Sequence, residues 1–435
     1  MYLGLYRLCL WGYRIKMHLL SPWNKKAGYW LEGRKNLMAR LKLSIPSSGE
    51  DLIWMHCASR GEFEQGLPLL EKMRNRYPSY KILVTFFYSP GYELKYENIA
   101  ADYIFYLPVD SKKNAVEFLE IANPKLVFWI KNNFWFYYLR ELKKRRIPVL
   151  LISGVFNEER GYFAFSGRIQ KHMLNLFSHL FVQTEGSAAW LRSAGISRGI
   201  TVAGDTRFDR VIEIASQFNP IPLIEAFCGK NLPVIVAGNT WEEDEEQLDH
   251  YANAHPEIRF IIAPHSLDEE GLANIKKLFR RSVYYSTLVS NSRPEQDGKK
   301  PVAVPGALPD LPNVLIMDHI GILAQLYKYA TIAYVGGGFV DEGVHNVLEA
   351  AVYGKPVLFG PVIEEAIEAM DLVDNGGGMV IDSALEAEEV FNRLLTHPDE
   401  YFASGRAAKE YVWRNQGATR RIMDYIQENL LLTSW

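Results

Sequence analysis

The stretch VGGGFVDEGVHNVLEAAVYGKPVLFGP, residues 335–361, constrains the fold more than any other part of the chain. A short apolar run, Ile332 to Val335, reads as a buried strand and empties into three glycines, Gly336 to Gly338. A polar loop follows, and a helix is expected from near Asn346, stopped by Gly354 and Pro356. Val357 to Phe359 is then the next strand. Strand, glycine loop, helix N-terminus and strand is the order in which open parallel sheets bind phosphorylated ligands. Glycine lets the backbone approach the ligand, and unpaired helix N–H groups face an anion. Asn346 and Glu349, three apart, share one helical face. One reading is a nucleotide cradle in which Glu349 accepts ribose hydroxyls. The other makes Asn346 a helix cap and Glu349 its reciprocal partner. The glycine triplet favours the ligand site.

A chain of 435 residues is too long for one compact core, so two domains are expected. Its hydrophobic share of 48% and charged share of 23% are those of an ordinary folded protein. A net charge of −3 argues against general nucleic-acid binding, which needs a basic excess to neutralise phosphates. The three cysteines, Cys9, Cys57 and Cys228, are widely spaced and odd in number. They suit neither a disulfide framework nor a metal-ligand set, and a reducing compartment is their natural home.

Residues 1–24, MYLGLYRLCLWGYRIKMHLLSPWN, combine apolar and aromatic side chains with Arg7, Arg14 and Lys16. Tyr2, Tyr6, Trp11, Tyr13 and Trp23 suit a membrane–water interface, and the basic residues suit anionic headgroups. Arg7 and Arg14 interrupt the run, whereas a span needs about 20 mostly apolar residues. No small-residue cleavage site follows, unlike a conventional signal peptide. The segment therefore reads as a monotopic anchor in the cytoplasmic leaflet, with a helix packed on its own domain as the alternative. Lys25, Lys26, Arg34, Lys35, Arg40 and Lys42 extend the basic excess.

From Asp51 an α/β rhythm begins. Strands are expected at Leu52 to Met55, Lys81 to Phe86, Tyr103 to Leu107, Leu126 to Ile130, Val149 to Ser153, Leu180 to Gln183 and Ile200 to Ala203, with helices between them. Asn219-Pro220-Ile221-Pro222 marks a junction. The rhythm then repeats with strands at Val234 to Ala237, Arg259 to Ala263 and Val314 to Met317, and residues 291–313 read as a surface insertion. Helices near 386–395 and 400–430 close the chain. The expected organisation is a membrane-associated segment (1–45), a first Rossmann-like doubly wound domain (46–218) and a second (219–435), facing each other across a cleft.

In order along the chain, WMHCASRGEFEQGLPLL at 54–70, TFFYSPGYE at 85–93, YLPVD at 106–110, AGDTRFDRV at 203–211, AGNTWEEDEE at 237–246, IIAPHS at 261–266, MDHIG at 317–321 and the glycine stretch resemble one family. It is the 3-deoxy-D-manno-octulosonic acid (Kdo) transferases of Gram-negative bacteria, glycosyltransferases of the two-Rossmann-domain GT-B fold. The resemblance runs from about residue 1 to 425. It implies transfer of Kdo from CMP-Kdo to a lipid A precursor (lipid IVA) at the cytoplasmic face of the inner membrane, in lipopolysaccharide biosynthesis. It also implies inversion of the anomeric centre, with neither metal nor cofactor required.

The resemblance places the family's catalytic base at Glu62. An inverting transfer needs one carboxylate within reach of the acceptor hydroxyl. Locally, Ser59-Arg60-Gly61-Glu62 is also an S-x-x-E capping box. For the donor, the family's nucleotide-binding positions fall on Pro264, Gly337, Gly338, His345, Asn346 and Glu349. After Pro264 the family commonly has Arg and this chain has His265, only partly charged near neutral pH. Asn239 and Thr240 follow the first strand of the second half, where they reach a phosphate or, in the case of Thr240, cap the acidic helix. Arg207 stands where many members carry Lys, so a cation toward the donor is kept.

The largest departure is Lys131-Asn132-Asn133-Phe134-Trp135, where many members carry Glu-Thr-Glu before an aromatic pair. Lys131 is a candidate contact for the sugar carboxylate or an acceptor phosphate, or else a solvated charge at a strand end. Asn133 loses any acidic role. Two rival readings stay open: a GT-B membrane glycosyltransferase using a UDP-linked sugar, and a degenerate, non-catalytic member of the family.

Overall fold

The computed structural model describes residues 2–46, 50–88, 101–157, 167–292, 312–319 and 321–432. Most of the expected insertion at 291–313, positions 89–93 of the TFFYSPGYE stretch and position 320 of MDHIG lie outside them. The chain forms two compact units, Met1–Arg210 with Gln416–Trp435, and Val211–Asn415. Each carries one seven-stranded parallel sheet.

In the first unit the strands are β1 (Leu52–Cys57), β2 (Lys81–Phe86), β3 (Tyr103–Tyr106), β4 (Leu126–Ile130), β5 (Val149–Gly154), β6 (His179–Val182) and β7 (Ile200–Val202), in the order β3-β2-β1-β4-β5-β6-β7. The sequences of β1, β4 and β5 are nearly all apolar because helices cover both faces of the sheet, and every residue of these strands is buried. Trp54 and Trp129 lie fully inside, their rings 5.7 Å apart. Each such burial is worth roughly 2–3 kcal/mol. The polar atoms buried with them are paired: Trp54 Nε1 donates to Thr85 Oγ1 at 2.8 Å, and Trp135 Nε1 donates to His56 Nε2 at 3.0 Å. That bond fixes the His56 tautomer, and burial pushes its pKa down to about 3, so the ring stays neutral. The helices start at Arg60, Lys112 and Glu185, the first two three residues ahead of the expected Phe63 and Ala115, because Ser59, Ser111 and Thr184 each accept the N–H three residues on.

The second unit contains β8 (Val234–Thr240), β9 (Arg259–Pro264), β10 (Ser282–Tyr284), β11 (Val314–Ile316), β12 (Ile332–Val335), β13 (Val357–Phe359) and β14 (Gly378–Val380), ordered β10-β11-β9-β8-β12-β13-β14. β10 and β14, three residues each, lie outside the expected strands. In each unit the chain switches from one half of the sheet to the other, between β1 and β4 and between β8 and β12, and in the second unit β11 also turns back to lie between β9 and β10. Such switch points open a crevice at the carboxyl ends of the strands, where doubly wound folds bind ligands.

The domain boundaries differ from expectation at both ends of the chain. The first helix, Tyr2–Leu20, belongs to the first unit and packs Tyr6, Leu10, Tyr13 and Met17 against its core. Tyr6 donates to Asp110 Oδ2 at 2.5 Å, and Arg7 Nε donates to the Tyr137 hydroxyl. At 100° per residue the opposite side of this helix carries Leu5, Leu8, Trp11, Ile15 and Leu19, all exposed. Helix packing and an exposed apolar stripe thus coexist on one element. No described helix is long and apolar enough to cross a membrane.

The last helix, Ala418–Glu428, was expected to close the second half and instead joins the first unit. Gly417, at φ +102°, ends the helix Pro398–Arg414 run that was expected to continue to 430. Asp209 then accepts the N–H groups of Gly417 and Thr419 at 2.5 and 2.7 Å, and Ile422 and Ile426 enter the first core.

Candidate active site

In the first unit Glu62 sits in the opening turn of the helix Arg60–Arg76, just after β1. Ser59 Oγ accepts the Glu62 N–H at 3.4 Å, one half of a capping box. The other half is displaced: Glu62 Oε2 accepts from Ala58 N at 2.5 Å, one residue ahead of the cap. Its second oxygen, Oε1, accepts from Asn133 Nδ2 at the end of β4. The side of the switch point opposite β1 therefore supplies a partner that the sequence reading gave no role.

Glu62 is 7% exposed, and burial pushes its pKa up to about 7, against the pull of the Ala58 N–H, the Lys131 charge and the Asn133 amide. A carboxylate near neutrality is suited to taking up a proton at cellular pH. Lys131, half-buried, follows β4 in the left-handed region at φ +54°. Its charge also acts on Asp205, which is fully buried. Burial would raise Asp205, but Arg207 and Lys131 together hold its carboxyl below the usual range.

Arg207 is bound tightly within this unit. Its Nε and Nη2 donate to Asp205 Oδ2 at 3.0 and 2.8 Å, and its N–H donates to Oδ1 at 2.9 Å. Gln65 Nε2 and Gln183 Nε2 converge on the same Oδ2 at 3.0 and 2.9 Å. Glu62, Lys131 and Arg207 thus share one electrostatic neighbourhood in the first unit. Asp205, Gln65 and Gln183 were missed: the AGDTRFDRV and GEFEQG stretches were read for Arg207 and Glu62 alone.

Of the ten candidate donor residues, Arg207 lies in the first unit and the other nine lie in the second, at the carboxyl ends of β8, β9 and β12 and in the segments that follow. Asn239 has φ +55°, and Thr240 pairs with Pro264 in register. The Thr240 hydroxyl donates to Glu245 Oε1 at 2.8 Å, and the cap of the acidic helix Glu242–Ala254 is Trp241. Backbone N–H of His265 reaches Thr240 O at 2.9 Å. The His265 ring stacks against both Trp241, at 4.6 Å and 14°, and His345, at 4.8 Å and 15°. Trp241 Nε1 also donates to His345 Nε2 at 3.2 Å. The departure from arginine is thereby built into a three-ring stack, and Trp241 is a residue the sequence reading did not single out.

Two expectations about the glycine stretch need correction. A Cβ on Gly336 would lie 2.3 Å from Asn239 O, and one on Gly338 would lie 2.5 Å from Gly360 N. These glycines let two of the protein's own loops pack against the end of β12, so the space above them is already filled. The helix expected from Asn346 to Gly354 is a single turn, Leu348–Ala351, too short to present a dipole of consequence. Asn346 Oδ1 accepts from Leu348 N at 3.2 Å, and its Nδ2 donates to Glu349 Oε1 at 3.3 Å. The cap of this turn is Val347 rather than Asn346, and Asn346 meets Glu349 side chain to side chain, while His345, Asn346 and Glu349 remain half-exposed.

Two doubly wound units with their polar residues at the switch points define the two-Rossmann-domain, GT-B class. The chain is similar in fold to the UDP-GlcNAc 2-epimerase of Neisseria meningitidis, with a TM-score of 0.57 at 20% identity, over 87% of this chain and 100% of that one. Residues 34–210 match the family described as 3-deoxy-D-manno-octulosonic-acid transferase (kdotransferase). A 3-deoxy-D-manno-octulosonic acid transferase of Aquifex aeolicus is 23% identical over 350 residues, 79% of this chain and 86% of its own. A bifunctional glycosyltransferase/methyltransferase of Fusobacterium nucleatum is 26% identical over 394 residues, 88% of this chain. The chain spans 56% of that relative's length. Over residues 34–210 this chain is similar to the Kdo transferase family, and the likeness to individual members extends through most of its length.

Proposed function

We propose that this protein is an inverting glycosyltransferase that moves Kdo from CMP-Kdo to a lipid A-type acceptor, with Glu62 as the base. The observation that carries the reading is the Glu62 carboxyl at the first switch point, raised to about 7 by burial. Glu62 takes the proton of the acceptor hydroxyl as that oxygen attacks the anomeric carbon. The bond from that carbon to the CMP phosphate oxygen breaks on the opposite face, and CMP departs with the electron pair.

The donor rests on the second unit. In this reading Glu349 meets the ribose hydroxyls, and His265, His345 and Asn346 face the phosphate. Lys131 and Arg207 offer positive charge to the sugar carboxylate or an acceptor phosphate. The phosphate is lost without a metal, since these donors stabilise the departing charge.

Support for a lipid acceptor comes from the first helix, whose exposed Leu8, Trp11 and Leu19 are 59%, 62% and 64% accessible. Beneath its basic flank lies a cavity of about 710 Å³ lined by Arg14, His18, Arg34, Lys35 and Lys42, with Glu117 as its acidic member. An apolar stripe beside a basic cavity suits the cytoplasmic face of the inner membrane and a phosphorylated glycolipid.

The test is transfer from freshly generated CMP-Kdo to a lipid A precursor in detergent, for wild type and Glu62→Ala, with CMP and UDP as competitors. Wild-type turnover that collapses in the variant while CMP binding survives supports the reading. Competition by UDP but not CMP replaces the donor, and CMP binding without turnover in any assay makes the protein a non-catalytic member of the family.

A further inference from the structure

We propose that Asn133 is a positioning residue that holds the Glu62 carboxylate for proton abstraction, through the hydrogen bond from its Nδ2 to Oε1. The inference rests on Glu62 being the base. Without Asn133 the carboxylate would be fixed at one oxygen only, by the Ala58 N–H.

The segment that presents Asn133 is anchored at each of its three residues. Lys131 N–H donates to Ile152 O at 3.0 Å, and Asn132 Nδ2 donates to Val155 O. Trp129 Nε1 donates to the Asn133 carbonyl at 2.6 Å. Trp129 is itself immobile, fully buried with its ring 4.7 Å from His56. Lys131 takes a left-handed conformation that a non-glycine residue adopts only where its surroundings hold it there. The product of these restraints is one amide placed against one carboxylate.

An amide suits a base that changes charge during turnover. Its NH2 donates to the ionised carboxylate before abstraction. Once Glu62 carries the proton, rotation of the amide lets Oδ1 accept from the carboxylic acid. A carboxylate at position 133 would repel the ionised base, and an apolar side chain would leave Oε1 without this partner. The other titratable groups facing Glu62 among the described residues are Lys131 after β4, Cys57 at the end of β1 and Tyr88 after β2, and substitution at 133 leaves all three in place.

The experiment uses the full chain and two readouts. The first is infrared titration of the Glu62 carboxyl, isolated as wild type minus Glu62→Gln. The second is the pH profile of kcat and KM for CMP-Kdo transfer. Asn133→Asp keeps the shape and removes the donor, and Asn133→Ala removes both, with near-ultraviolet circular dichroism reporting the fold. Both variants are expected to move the Glu62 midpoint up by about one pH unit and to lower kcat at neutral pH about tenfold, with donor KM within about twofold. A merely structural role would leave the midpoint unmoved. If Asn133→Asp titrates and turns over like wild type while Glu62→Gln is inactive, this proposal falls and the base stands. If Glu62→Gln is fully active, the base reading falls and takes this one with it.

Discussion

Asp244 Oδ2 accepts the backbone N–H of Gly337 at 2.8 Å, joining the acidic helix after β8 to the glycine stretch after β12. The same carboxylate accepts from Trp241 N at 2.9 Å and, on Oδ1, from the Tyr334 hydroxyl at 2.6 Å. One buried side chain therefore holds both walls of the second switch point. Asp244→Ala strands three buried donors and is expected to destabilise the protein by about 3 kcal/mol. Asp244→Asn, which keeps one oxygen, loses less. Urea unfolding of the second-unit transition, with CMP binding alongside, checks both.

Gly338→Ala places a methyl group 2.5 Å from Gly360 N, a backbone atom that cannot swing aside. The loops must part, and a loss of about 3 kcal/mol together with nucleotide binding is expected. Gly12→Ala is the control: it lies in the first helix with nothing within 4 Å of its Cβ, and a small gain in stability, about 0.5 kcal/mol, is expected. Thermal unfolding that ranks the two alike would refute the packing account of the triplet.

The pH dependence of Glu62 has a definite sign. Its pKa rises from 4.5 in the open chain to about 7 in the fold, so the folded state holds the extra proton between these values. Stability contributed by that proton is present below pH 4.5 and is lost as pH rises through about 7, by up to about 3 kcal/mol. Melting temperature against pH should fall across this window in wild type and flatten in Glu62→Gln. With Glu62 as the proposed base, transfer activity is expected to move the opposite way, rising as Glu62 ionises near pH 7.

The exposed face of the first helix can be removed without touching the core. Leu8, Trp11 and Leu19 point away from the side on which Tyr6, Leu10, Tyr13 and Met17 pack. The triple change to serine is expected to shift stability by less than about 0.5 kcal/mol. Partition onto anionic vesicles, measured by flotation, is expected to fall at least tenfold. Unchanged flotation would move membrane contact elsewhere on the protein.

Much of this was legible before any coordinates. The apolar runs of β1, β4, β8 and β12 announce parallel strands, because a strand buried on both faces needs no polar alternation. Glu62 and the candidate donor residues stand in ordered motifs, and the structure sets Glu62 after β1 and every donor candidate but Arg207 at or after the ends of β8, β9 and β12. Asn133 against Glu62, across 71 positions, was not legible, since the bond exists only because β1 and β4 are neighbours. Asp244 was hidden in a run of acidic residues that reads as a solvated helix face.

The sequence by itself determined the element types, the repetition of a doubly wound half and the motifs of the family, because these depend on local patterning and residue identity. Tertiary structure alone decided what the residues touch. It filled the space above the glycines with the protein's own loops, returned the last helix to the first unit and locked Arg207 onto Asp205. It also gave Glu62 a partner from another strand. The physical reason is that burial and hydrogen-bond partnership arise from strand order, which places residues far apart in the chain within a few ångströms of one another.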